Sequence, residues 1–173
     1  TQLVWLVSDV LPTDVVRGRK NPLHVKFPER LRRARKKSGL SASSLSVESG
    51  ISKGGVAKLE AGTWVPRLQT VECLAIALRI SPSWLAFGLE LDWMPGKDFG
   101  YRALAQRVRE ARAIRGFSIR EVERRAGTAE GSVRAIEGKT MPSLDTLEQV
   151  AKALGVSPAW LAYGEGPMEV PSR

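Results

Sequence analysis

The sequence repeats itself, and that repeat limits what the chain can fold into more than any other feature. Arg30 to Glu60 matches Arg107 to Glu137 at a constant offset of 77, with 10 of 31 positions identical. One extra residue in the first copy, near Thr63-Trp64-Val65, changes the offset to 76. Pro66 to Gly88 then matches Pro142 to Gly164 with 13 of 23 identical. Both copies close in nearly the same words, Ser81-Pro82-Ser83-Trp84-Leu85-Ala86-Phe87-Gly88 and Ser157-Pro158-Ala159-Trp160-Leu161-Ala162-Tyr163-Gly164. Self-similarity at a fixed period marks a repeated structural unit, so a tandem duplication of one small domain is expected.

Within a copy the clearest helix is Leu68, Val71, Leu74, Ala75 and Leu78, echoed by Leu144, Leu147, Val150, Ala151 and Leu154. Apolar residues at steps of three and four give a helix one buried face. Phe27, Leu31 and Ala34 before Gly39, and Leu104, Val108 and Ala111 before Gly116, repeat at similar steps and stop at a glycine suited to a C-cap. Ser41 and Ser118 stand where an N-cap belongs. Ser118-Ile119-Arg120-Glu121 has the spacing of a capping box, whereas Ser44 replaces the acid in the first copy. That second helix ends at Gly50 or Gly127, and a third is expected over 52–60 and from about 129 to 137. Ser81-Pro82 and Ser157-Pro158 put an N-cap before a proline at the first helical position and open a fifth helix. Neither copy holds an alternating run rich in Val, Ile and Thr that would argue for a sheet. The expected fold is all-α, two tandem five-helix bundles.

Composition narrows the function. The 173 residues are 43% hydrophobic and 26% charged, which suits a soluble globular chain and no membrane span. Lys plus Arg number 27 against 18 Asp plus Glu, a formal charge of +9 with a pI near 10.2, which calls for an anionic partner, nucleic acid before membrane. One cysteine, Cys73, and one histidine, His24, allow neither a disulfide nor a Cys/His zinc site. No catalytic residue, metal site or cofactor is expected. Paired carboxylates, a phosphate-cradling glycine loop and a nucleophile–base couple are all missing from the pattern, and Asp98-Phe99-Gly100 lacks a kinase context. The apolar run Leu3 to Val7 has no basic leader and is not read as a signal peptide. A cytoplasmic location is expected, on the nucleoid when bound to DNA.

The break at Gly50 or Gly127 has the form of a helix-turn-helix, whose second helix lies in the major groove. Leu40-Ser41-x-x-x-Leu45, Gly50-Ile51-Ser52, Val56-x-x-Leu59-Glu60-Ala61-Gly62, Leu74-Ala75-x-Ala77-Leu78 and Trp84-Leu85 resemble the phage-repressor-like (Xre, Cro-type) helix-turn-helix family. The second copy, with Gly127-Thr128, Val133-x-x-Ile136-Glu137-Gly138-Lys139 and Leu154-Gly155-Val156-Ser157-x-x-Trp160-Leu161, is similar to it at least as closely. The resemblance implies two lambda-repressor-like helix-turn-helix domains, over 26–90 and 101–166. An N-terminal arm over 1–25, a linker over 91–100 and a tail over 167–173 complete the chain.

It further implies DNA-contact positions at Ser52, Lys53, Gly54, Gly55 and Lys58, and at Ala129, Glu130, Gly131, Ser132 and Ala135. Lys53 and Lys58 are five apart on the expected third helix, so one can approach guanine acceptors while the other reaches phosphate. Glu130 can accept from a cytosine amino group but repels phosphate, and Ala135 offers only a methyl contact. Arg115, Arg120, Arg124 and Arg134 are candidates for phosphate. Many relatives carry a glutamine just after the second helix's cap, where Ala42 and Ile119 stand here. The amides near Ser41 to Ser43 and Ser118 to Arg120 still suit a phosphate oxygen. Arg67 follows the loop proline where relatives send an arginine toward the minor groove; Ser143 cannot do the same. Arg35 with Glu60, and Arg112 with Glu137, match a structural ion pair joining the first helix to the third. Trp84 and Trp160 are expected in the core. Trp64 would be costly to expose unless it packs on the linker, another subunit or DNA sugar.

These readings point to a sequence-specific DNA-binding transcriptional regulator, a repressor acting by operator occupancy on double-stranded DNA. The alternative is an antitoxin-like or partner-binding module, in which one copy binds DNA and the other mediates dimerisation or holds a protein partner. A homodimer is expected from the spare aromatic surface at Trp5, Trp64 and Trp93. The copies should bind DNA unequally, since 26–90 holds 11 basic against 5 acidic residues and 97–166 holds 12 against 9. The dozen residues from Leu89 to Gly100, at ~3.3 Å per extended residue, reach at most ~40 Å, comparable to the ~34–36 Å between half-sites one turn apart. Arg17-Gly18-Arg19-Lys20 could form a basic arm.

Overall fold

The computed structural model describes residues 22–90 and 101–168, and these are helical with short connections. A 3-10 helix over Leu23–Lys26 leads into α1 (Phe27–Lys37), α2 (Ala42–Glu48), α3 (Gly55–Glu60), α4 (Leu68–Leu78) and α5 (Pro82–Phe87). The second copy supplies α6 (Tyr101–Arg115), α7 (Ile119–Ala126), α8 (Ser132–Glu137), α9 (Leu144–Leu154) and α10 (Pro158–Tyr163). The expected class is therefore correct. The proposed arm over 1–25 lies outside the described residues up to 21, and the linker over 91–100 and positions 169–173 lie outside them altogether.

The serine caps form. Ser41, Ser118, Ser81 and Ser157 each accept, through Oγ, the amide three residues on, at 3.0, 3.1, 3.2 and 3.5 Å. The capping box is only half made. The Glu121 carboxylate turns along its own helix to Arg124 at 2.7 Å and Arg125 at 2.5 Å. Bonds from two guanidinium groups outweigh the return bond a box would supply, and they hold this carboxyl down at about 2, Arg124 contributing most.

Both third helices begin three residues later than expected. Gly54 and Gly131 adopt left-handed φ values of 80° and 86°, which a right-handed helix cannot pass through and which only glycine takes without cost. Each copy therefore spends the start of the predicted helix on a tight turn, closed by Gly55 N–H to Ser52 O at 2.8 Å and Ser132 N–H to Ala129 O at 3.1 Å.

The core of each copy gathers every helix. Leu31, Leu45, Val56, Leu59, Leu68, Leu74 and Leu85 are buried in the first, and Leu104, Val108, Val122, Val133, Leu144, Leu147 and Leu161 in the second. Trp84 and Trp160 are not core residues in full; they lie partly buried against it. The two cores are continuous, because α5 packs on α10 and buried Phe87 faces buried Tyr163 with ring centroids 6.4 Å apart. A second contact joins the loops before α4 and α9. Leu68 N–H donates to Pro142 O and Leu144 N–H to Pro66 O, both at 3.0 Å, on either side of an antiparallel bridge between Arg67 and Ser143.

The 3-10 helix also crosses to the second copy. Glu148 on α9 accepts from the Leu23 amide at 2.6 Å and the His24 amide at 3.2 Å, and its Oε2 lies 2.7 Å from His24 Nδ1. Burial opposes the Glu148 charge, yet the bonds from His24 and the two amides outweigh it and hold the carboxyl below its ordinary value. A carboxyl depressed on folding contributes stability above its unfolded value and loses it as pH falls through the folded one. Glu148→Gln is expected to lower the melting temperature at pH 7 and to flatten its decline below about pH 4.5. Parallel acid profiles for the two proteins would remove Glu148 from the interdomain latch.

Candidate nucleic-acid interface

In the first copy the surface is built by α2, the Gly50 to Gly54 turn and α3. Val56 and Leu59 anchor α3 from below. Glu60 is only 9% exposed, and it is gripped from α1 by Arg35, Nε to Oε1 at 2.5 Å and Nη2 to Oε2 at 2.9 Å. Arg35 also donates to Leu40 O at 2.8 Å, and Arg32 to Glu60 O at 3.0 Å. This pairing fixes the third helix against the first, and it leaves Ala57, Lys58 and Ala61 facing outward.

The candidate contact residues separate into three kinds. Ser52, Lys53 and Gly54 are exposed on the turn, so Lys53 and Lys58 do not share a helix as the five-residue spacing suggested. Gly55 is buried, and a Cβ there would meet Ile51 Cγ2 at 2.5 Å, which makes its role steric. Lys58 is exposed, and its Nζ lies 4.4 Å from the Trp64 ring centroid. Trp64, 48% exposed, packs under that ammonium. A ring beneath the cation steadies it by about 0.5–1 kcal/mol at an exposed site. Ser41 and Ser43 are exposed at the start of α2, and Arg67 is exposed at the seam between the copies.

The second copy repeats the frame with other chemistry. Arg112 meets Glu137 at 2.8 and 3.3 Å and Phe117 O at 3.1 Å, while Arg109 donates to Glu137 O. Glu130 is exposed on the turn with Arg120 at 4.0 Å, a pair open enough to contribute little. Gly131 and Ser132 are half-buried, and Ser118, Arg134 and Ala135 are exposed. Of the other arginines, Arg124 is held by Glu121, and Arg115 donates to Leu154 O at 3.0 Å, closing α9.

Two features escaped the sequence. Glu123 is buried, and its Oε1 accepts the Val133 amide at 3.0 Å, supplying α8 with the N-terminal acceptor that its glycine cap lacks. Ser46, at the matching place in the first copy, instead bonds back to Ala42 O. Arg30 donates to Leu85 O at 2.8 Å, Ala86 O at 2.5 Å and Leu23 O at 3.0 Å. Its repeat partner Arg107 meets Leu161 O at 2.8 Å and Ala162 O at 2.6 Å. Burial pulls the Arg30 guanidinium down to about 10. The available signal was an arginine identical in both copies on the face of α1 or α6 next to apolar residues.

Two family models, each described as a helix-turn-helix domain, match the chain, one over residues 27–86 and the other over 105–167. The HTH-type transcriptional regulator PrtR of Pseudomonas aeruginosa is 33% identical over 64 residues, an alignment covering 37% of this chain and 25% of that protein. The chain thus matches about a quarter of that relative's length. The crystal structure of the hypothetical transcription factor NHTF from Neisseria aligns at 23% identity with a TM-score of 0.37, over 40% of this chain and 79% of the other.

Proposed function

Both halves of this chain are helix-turn-helix domains, and from that premise we infer that it is a sequence-specific DNA-binding transcriptional regulator, a repressor that acts by occupying an operator. The observation that carries the reading is the outward face of the first copy's helix-turn-helix. There Lys53 on the turn and Lys58 on α3 both stand exposed, and α3 is locked by the Arg35 to Glu60 pair. Cations on a rigid element suit both phosphate oxygens and guanine edges. The excess of basic residues adds the salt-sensitive, sequence-independent attraction that brings such a surface to duplex DNA. Blocking access to a promoter needs no further chemistry.

Selection of bound duplexes from a random library tests this reading. The expected outcome is enrichment of one motif, bound ~10³-fold or more tightly than unselected duplex at physiological salt. Recovery of random sequence, with no duplex preferred, would overturn it.

A further inference from the structure

The two copies meet through equivalent residues. Arg67 bridges Ser143, its own counterpart, and the flanking bonds are reciprocal, Leu68 to Pro142 and Leu144 to Pro66. Phe87 faces Tyr163, again its counterpart. Contacts in which residue i meets j and j meets i are the mark of a two-fold interface, here formed inside one chain. We propose that a single chain is the complete DNA-reading unit, an internal pseudo-dimer that presents α3 and α8 together to a two-part, non-palindromic operator. The proposal rests on the DNA-binding reading above.

The geometry follows from the axis. A two-fold rotation leaves height along its axis unchanged, so equivalent elements lie at the same level and face the same way. The axis passes between buried Phe87 and Tyr163 and emerges beside exposed Arg67. α3 ends at Glu60 and α8 at Glu137, each running directly into the loop that reaches the axis at Arg67 or Ser143. Both third helices therefore flank the end of the axis that Arg67 occupies. The surfaces used for pairing, α5 with α10 and the two loops, are consumed within the chain, and a second chain is not required.

The two halves of the operator must differ because the two reading surfaces do. Lys53, Lys58 and Arg67 in the first copy stand against Glu130, Ala135 and Ser143 in the second. The lone Arg67 at the axis places one cation over the centre of the site, where it can enter the minor groove.

Sedimentation of the full chain with the selected operator, followed by footprinting, tests this. The expected result is a monomer at micromolar concentration, one chain per operator, non-cooperative binding and protection of two adjacent segments. A duplex cut to one segment should bind on the order of 100-fold more weakly, since rigid pairing makes the second contact intramolecular. Two chains per operator, or full affinity for the cut duplex, would overturn the proposal. Absence of any selective binding would overturn the reading beneath it, and the proposal with it.

Discussion

Arg35→Ala is expected to lower folding stability by about 3 kcal/mol and the melting temperature by roughly 6–12 °C. Glu60 is 9% exposed and takes two bonds from that guanidinium, so truncation leaves a buried carboxylate without its main partner. Arg32, with Nε 3.6 Å from Glu60 Oε2, can take up part of the charge, which sets the loss at the lower end of the ~3–5 kcal/mol typical of a broken buried pair. Arg112→Ala should behave alike, with Arg109 in the compensating place 3.6 Å from Glu137. A double change, Arg35→Met with Glu60→Leu, should regain most of the loss, because the desolvated charge is gone. Thermal melts that do not move on Arg35→Ala would show the pair to be irrelevant to holding α3.

The second large effect is on DNA. Lys53→Ala or Lys58→Ala is expected to cost about 1–3 kcal/mol of affinity for the selected operator where the amine reads a base edge. A lysine that touches only phosphate behaves differently. Its loss weakens every duplex alike and makes the salt dependence shallower by about one unit. In the second copy Glu130→Ala should leave non-specific binding equal or stronger, since it removes a like charge from the phosphate side and releases Arg120, 4.0 Å away. Equilibrium titrations at several salt concentrations measure all three. Unchanged affinity on loss of both lysines would take α3 out of the interface.

Much of this architecture is written locally. The caps at Ser41, Ser81, Ser118 and Ser157 and the apolar stripes of α4 and α9 depend on neighbours within a turn or two, so spacing alone located them. The pairing of Arg35 with Glu60 spans 25 positions and was legible only through the family resemblance. The late start of α3 and α8 was not legible, because the single glycine at Gly54 or Gly131 reads equally as a weak helical position and as a left-handed turn until tertiary packing chooses. Least visible was the seam between the copies. The sequence suggests two units joined by a linker, whereas bonds such as Leu68 to Pro142 are backbone contacts that no side-chain pattern encodes. Trp64, whose exposure the sequence left to be explained by the linker, another subunit or DNA sugar, lies under Lys58, and Trp5 and Trp93 lie outside the described residues.

The arrangement of two unequal reading helices held on one face is tested most directly by the binding free energy of every single base-pair substitution across the selected operator. The expected profile has two clusters of sensitive positions about one helical turn apart, each position costing ~1–3 kcal/mol in the cluster under α3, with smaller losses under α8. Lys58→Ala should flatten the first cluster and spare the second. A palindromic profile with equal clusters, or one without clusters, would contradict it.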